Sequence, residues 1–324
     1  MKLPIAEGVK SADSVVGVCR LFGRDKDSLD ACILDFNGAD FLNVGEIAAL
    51  AMYARQVSRN RLTSLVNHQS ARCYGYLQRI NFFNSLGIDS LERFVRHDPN
   101  GEFLEITEII DDEAYTTNSI PAQLRGIIQK ASYVDISLVS AIDRSFGEIL
   151  DNVLNHSHTQ VPGIAIAQHY PNKGFVEFCV ADAGIGIVQS LRSNPSLSAK
   201  SANELMEMAF EFGVGENVNG VRGVDDGYGC GYGLAFASKL IEAAKGQLWA
   251  VSHDECMLLT GDGFTHVNGC WFPGTLICAR IPDRAVLSES DLDVANDGLT
   301  NRPFYWDAQG NEIEDLFDGG GILW

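Results

Sequence analysis

The stretch from Ser137 to His158, SLVSAIDRSFGEILDNVLNHSH, constrains this chain more than any other. Apolar side chains at Leu138, Val139, Ile142, Phe146, Ile149, Leu150, Val153 and Leu154 recur at the spacing of one helical face. The segment is therefore predicted to be a helix with one side in a core. On another side Glu148, Asn152 and His156 stand four residues apart, forming a polar stripe along the axis. A helix that only packs has no need of an acid, an amide and an imidazole in register. A solvated flank would also account for the stripe, so its meaning depends on the residues downstream.

Toward the C-terminus, three further features fall in a fixed order. Asp182-Ala-Gly184-Ile-Gly186 places a carboxylate where the strand-like run GFVEFCVADAG ends in a tight turn. Gly227-Tyr-Gly229-Cys-Gly231-Tyr-Gly233-Leu234 opens a helix expected over about 232–245. Gly274-Thr275 opens a late strand, GTLICARIP. Each has a chemical use. A strand-end carboxylate can accept a hydrogen bond from an exocyclic amine, and glycines beside it let backbone approach a flat ring. Alternate glycines before a helix free N–H groups for phosphates, and the helix N-terminus adds positive potential. An amide oxygen such as that of Asn152 suits magnesium, which keeps several waters and uses few protein ligands. Glu148, one turn away, can orient or deprotonate a water.

In this order and at these spacings the pattern resembles the nucleotide site of the GHKL superfamily, which includes gyrase, heat-shock chaperone, histidine kinase and mismatch-repair ATPases. The resemblance covers about Leu124 to Pro282, and EILDNVLNHS is most similar to the histidine-kinase and anti-sigma-kinase branch. It implies a Bergerat-type two-layer α/β sandwich with a mixed sheet, binding ATP and Mg2+. It further implies Glu148 as catalytic acid or base, Asn152 as the magnesium ligand and Asp182 as the adenine reader. Gly184 and Gly186 would line the base. Gly229, Gly231 and Gly233, with Leu234 after them, would cradle phosphates. His156 would lie at the phosphate end of the helix, and Thr275 would support the adenine-side water network. Residues from about Ser190 to Gly227, with Gly213, Gly215, Gly220, Gly223 and Arg222, occupy the place of the ATP lid. The phosphorylated histidine of sensor kinases has no counterpart, because neither His68 in VNHQS nor His97 in RHDPN sits in the required His-Glu or His-Asp setting.

Before this region, SVVGVCRLF (14–22) and ACILDF (31–36) read as strands and a helix is expected from about Val44. RLTSLVNH reads as a strand and SARCYGYLQRINFFNSLGI as a second helix, which together make a small α/β sandwich over residues 10–95. LDFNGADFLNVGEIAAL and YLQRINFFNSLGI resemble the STAS domain, which implies a docking or dimerising module. Where phosphorylated members of that family carry a serine, this chain reads Asn43-Val44-Gly45. Residues 96–120 form an acidic linker with room for an edge strand, FLEITEI, and the ATPase domain is expected over 121–283.

Charge narrows the partners. The formal net charge of −19 argues against binding nucleic-acid phosphates or anionic membrane. From Asp283 to Trp324 there are ten acidic and two basic residues, interleaved with Phe304, Tyr305, Trp306, Phe317 and Trp324. This tail, over 284–324, is read as solvated chain carrying short docking segments, for the ATPase domain or for a partner protein. The eight cysteines form no CxxC pair, which fits free thiols in a reducing compartment. With no signal core and no membrane-length apolar run, a cytoplasmic protein is expected. The leading expectation is an intracellular ATP-binding signalling protein that hydrolyses ATP or phosphorylates a partner. A nucleotide-gated interaction switch without turnover and a homodimeric conformational ATPase remain as alternatives.

Overall fold

The computed structural model describes residues 1–10, 13–99, 101–110, 120–135, 139–156, 160–211, 214 and 233–288, with the short pairs 305–306 and 312–313. The N-terminal elements are β1 (Lys2–Pro4), α1 (Ile5–Val9), α2 (Ser14–Asp25), β2 (Cys32–Asp35), α3 (Val44–Val57), β3 (Thr63–Val66), α4 (Tyr74–Arg79) and α5 (Phe82–Ser85). After them come β4 (Phe103–Ile109), α6 (Ile120–Ala131), β5 (Tyr133–Val134), α7 (Val139–His156), β6 (Gly163–Tyr170) and β7 (Phe175–Asp182). The remainder comprises α8 (Ile187–Arg192), α9 (Ala202–Met208), α10 (Gly233–Ala243), β8 (Gln247–His253), β9 (Glu255–Thr260), β10 (Gly263–His266), β11 (Phe272–Pro282) and β12 (Val286–Leu287).

A seven-stranded sheet in the order β10-β9-β8-β11-β7-β6-β4 is the scaffold. Every adjacent pair in it is antiparallel, so this sheet is antiparallel throughout where a mixed one was expected; hairpins join β6 to β7 and β8 through β10. Parallel pairing occurs in the small sheet β1-β2-β3 and between β12 and β5. FLEITEI takes the edge position expected of it, as β4.

Both faces of the large sheet are buried. Along β7, Val176, Phe178 and Val180 join a core with α6, α7 and α10, while Cys179 and Ala181 join a second core with the N-terminal elements. β11 alternates likewise, with Ile277 and Ala279 on the first face and Leu276 and Cys278 on the other. Strands apolar at both parities need cover on both sides. The N-terminal elements provide the second layer.

Within that layer α3 is apolar around its circumference, with Ile47 through Tyr53 fully buried, because it is enclosed between its own neighbours and the large sheet. Its first turn is joined to the sheet through polar groups. The Val44 N–H donates to the Tyr170 hydroxyl at 3.0 Å and the Gly45 N–H to Glu177 Oε1 at 2.7 Å. These satisfy two of the donors that a helix N-terminus leaves open, and the Glu177 carboxylate suits its positive end. Arg280 Nε donates to the other Glu177 oxygen at 2.5 Å. A Cβ at position 45 would stand 2.6 Å from Cys278 Sγ and 2.8 Å from Glu177 Oε1, so the approach requires glycine. Glu46, fully buried beside this pair, is pushed up to about 7 by burial and by the Glu177 charge.

The expected strand over 14–22 is instead helix α2. Its β-branched valines favoured an extended reading, but Val15, Val18, Cys19 and Phe22 recur at helical spacing and all are buried. Asp13 caps the helix by accepting from the Val16 N–H at 3.5 Å. The second expected helix is broken into α4 and α5 at Asn81, which has φ 65°. In the tail, 305–306 pairs with 312–313 as a short antiparallel ladder, while Phe304, Phe317 and Trp324 lie outside the described residues. Among the described residues no helix is long and apolar enough to cross a membrane.

Candidate active site

Helix α7 carries Glu148, Asn152 and His156 as the spacing predicts, with Phe146, Ile149, Leu150 and Val153 turned into the core. The Glu148 side chain is buried and that of Asn152 is exposed; His156 ends the helix. Helix α10 begins against this surface. Ser145 Oγ donates to the Gly233 carbonyl at 2.9 Å, and a Cβ at position 233 would lie 2.8 Å from the Glu148 Cβ. Gly233 therefore lets the start of α10 rest on α7 beside Glu148, and Leu234 packs on the same core. Gly229 and Gly231 lie outside the described residues.

The second half of the site forms at one end of the sheet. Asp182, the last residue of β7, is in register with Thr275 on β11, and Thr275 is in register with Ser252 on β8. One row across three strands thus holds a carboxylate and two hydroxyls. The Gly184 N–H donates to Asp182 Oδ1 at 2.7 Å, closing the turn. Asp182 is 5% exposed, and burial pushes its carboxyl up to about 6, against hydrogen bonds from Gly184 and Thr275 that act in the other direction. A side chain at position 274 would collide with the Asp182 carbonyl oxygen, only 2.4 Å from its Cβ.

Sequence reasoning missed the brace behind this turn. Ser252 Oγ accepts from the Ile187 N–H at 2.8 Å, and His253 Nε2 donates to the Ile185 carbonyl at 3.0 Å. Gly186, at φ 76°, passes so close to both that a Cβ there would lie 2.6 Å from Ser252 Oγ and from His253 Cδ2. Nothing in the spacing of QLWAVSH marks these two residues; only the alignment of β8 beside β11 does. At the base of the expected lid, α9 is tied to β10 by Glu207 with His266 Nε2 at 2.7 Å, and Phe210, two residues after the helix, packs against Phe264. The lid residues Gly213, Gly215, Gly220, Arg222 and Gly223 lie outside the described residues.

A polar helix stripe, a glycine-started helix resting on it and a buried strand-end carboxylate are parts of one sandwich. Residues 139–282 match the model of the family described as Histidine kinase-, DNA gyrase B-, and HSP90-like ATPase. The match supports the GHKL superfamily for this domain, and with it ATP binding. No curated protein and no solved structure matches the chain.

Proposed function

We propose that this protein is an ATP-dependent signalling protein whose ATPase domain, over 121–283, hydrolyses ATP or transfers its terminal phosphoryl group to a partner protein. The observation that carries the reading is Asp182. A carboxylate buried at a strand end, with one oxygen already held by Gly184 N–H and its row shared with Thr275, keeps acceptor capacity for an adenine amine. Gly184 and Gly186 would let the flat base approach backbone, and Thr275 would orient water on the adenine side.

On α7 an exposed Asn152 one turn from a buried Glu148 fits a magnesium ion that retains most of its waters. Asn152 would hold the ion through its amide oxygen, and the ion would neutralise phosphate charge. Glu148 would accept a proton from, or orient, the attacking nucleophile. Gly229, Gly231, Gly233 and Leu234 would bring backbone N–H groups to the phosphates, with His156 at the same end.

The N-terminal unit over 10–95 is proposed as a STAS-like contact module, joined through residues 96–120, which also supply the edge strand β4 to the large sheet. It and the tail over 284–324 are the surfaces offered to a partner, or to a second copy of the chain. A STAS-like module whose α3 N-terminus is sealed by Glu177 and Tyr170 would signal by contact rather than by phosphorylation at Asn43-Val44-Gly45. Calorimetric titration of ATP with and without Mg2+ tests the reading. Saturable binding at one site per chain is expected, and an absence of heat and of any shift in melting temperature would overturn it.

A further inference from the structure

The turn from Asp182 to Ile187 is held by neighbouring strands at both of its ends. At the first end β11 presses Gly274 against it, where a Cβ would lie 2.4 Å from the Asp182 carbonyl oxygen and 2.5 Å from the Gly184 nitrogen. The pairing of β11 with β8 is irregular at the same place. Thr275 is in register with Ser252 and Phe272 with His253, so the ladder skips Pro273 and Gly274. Irregularities of this kind bend a strand and re-aim side chains, commonly beside functional sites. Here they leave Ser252 and His253 next to the far end of the turn.

Both side chains grip backbone there. The Ile187 N–H donates to Ser252 Oγ at 2.8 Å, and His253 Nε2 donates to the Ile185 carbonyl at 3.0 Å, so the two bonds close on either side of Gly186. Ser252 shares the row of Asp182 and Thr275, but it is buried and its hydroxyl is engaged with the turn. His253 carries a second signal in its own backbone. At φ 51° it occupies the left-handed region, where β8 passes into β9. Glycine or asparagine is the ordinary choice for such a position, and neither has a donor long enough to cross to the next turn. The residue found there is one that does.

We propose that Ser252 and His253 are positioning residues for adenine. Through the backbone of Ile187 and Ile185 they hold Gly184 and Gly186 in place beside Asp182, so the turn is shaped before nucleotide arrives. Binding then does not have to order it, which is how preorganisation raises affinity. The inference rests on the reading of this turn as the base pocket.

ATP would be titrated by calorimetry into the full-length wild type, His253→Asn, His253→Gln and Ser252→Ala, with each protein also unfolded in urea. Asparagine suits a left-handed backbone but is too short to reach the Ile185 carbonyl. His253→Asn should therefore keep the urea midpoint of wild type and bind ATP ~10-fold more weakly, the scale of one lost hydrogen bond. His253→Gln, whose amide nitrogen comes near the place of the imidazole Nε2, should recover most of that affinity. Ser252→Ala should weaken ATP by a similar ~10-fold and keeps the test open if position 253 tolerates no change. Folded His253→Asn and Ser252→Ala variants that bind ATP like wild type would overturn the proposal and leave the ATP reading standing. So would a His253→Gln variant no better than His253→Asn, or an affinity loss matched by an equal loss of stability. Should the wild type itself bind no ATP, the base-pocket reading fails and this inference falls with it.

Discussion

Replacing Asp182 with asparagine should strengthen the empty fold while weakening nucleotide binding. Burial holds this carboxyl at about 6 instead of an ordinary 3.8. At about 1.4 kcal/mol per pH unit, the ionised form carries about 3 kcal/mol of destabilisation. Proton counts give the direction. Between pH 3.8 and about 6 the native state keeps a proton that the unfolded chain has released, so stability falls as pH rises through that window and is level above it. Asparagine preserves the shape and an acceptor for the Gly184 N–H, and it carries no charge. Urea denaturation should find the variant equal to wild type near pH 4 and about 2–3 kcal/mol more stable at pH 8. Its amide nitrogen would face the adenine amine donor to donor, so ATP affinity should fall ~100-fold or more. A variant less stable than wild type at pH 8, or one whose gain does not vary with pH, would refute the desolvation argument. Unchanged ATP affinity would refute Asp182 as the adenine acceptor.

Three further outcomes are expected. Asn152→Ala should weaken Mg-ATP more than metal-free ATP, as calorimetry with and without EDTA will show; equal losses would indicate damage to α7 instead. Gly45→Ala forces a Cβ against Cys278 Sγ and Glu177, and should cost about 1–3 kcal/mol in urea denaturation through displacement of α3 from the sheet. Glu46, lifted from 4.5 to about 7, should make wild-type stability fall as pH rises from about 4.5 to 7, and Glu46→Gln should flatten that part of the profile.

Local periodicity made some of this legible and long-range pairing hid the rest. The α7 stripe could be read because Glu148, Asn152 and His156 share a helical period with an apolar face beside them. Asp182, Gly184 and Gly186 were visible as a strand end running into a turn. The row Asp182–Thr275–Ser252 was not, since it exists only once β11 lies between β7 and β8. His253 behind Ile185 depends on the same arrangement. The misread helix at Ser14–Asp25 shows local propensity overridden by burial, its valines packing at helical intervals. The two-sided cover of the sheet had a signal of its own in FVEFCVA and LICARI, which are apolar at both parities. What that pattern cannot say is which part of the chain supplies the second layer.

The fate of the terminal phosphate tests the central claim most directly. Wild-type protein and Glu148→Gln would be incubated with γ-labelled ATP and Mg2+, with and without candidate partner proteins, and label followed into free phosphate and into protein. In wild type, label should leave ATP for one of these two pools. In Glu148→Gln the rate should fall by ~10²–10⁴-fold while ATP affinity stays within a few-fold, because a base or water-orienting acid acts mainly in the transition state. Label that stays on ATP in the wild type with every acceptor, despite saturable binding, would contradict turnover and leave a nucleotide-gated switch in its place.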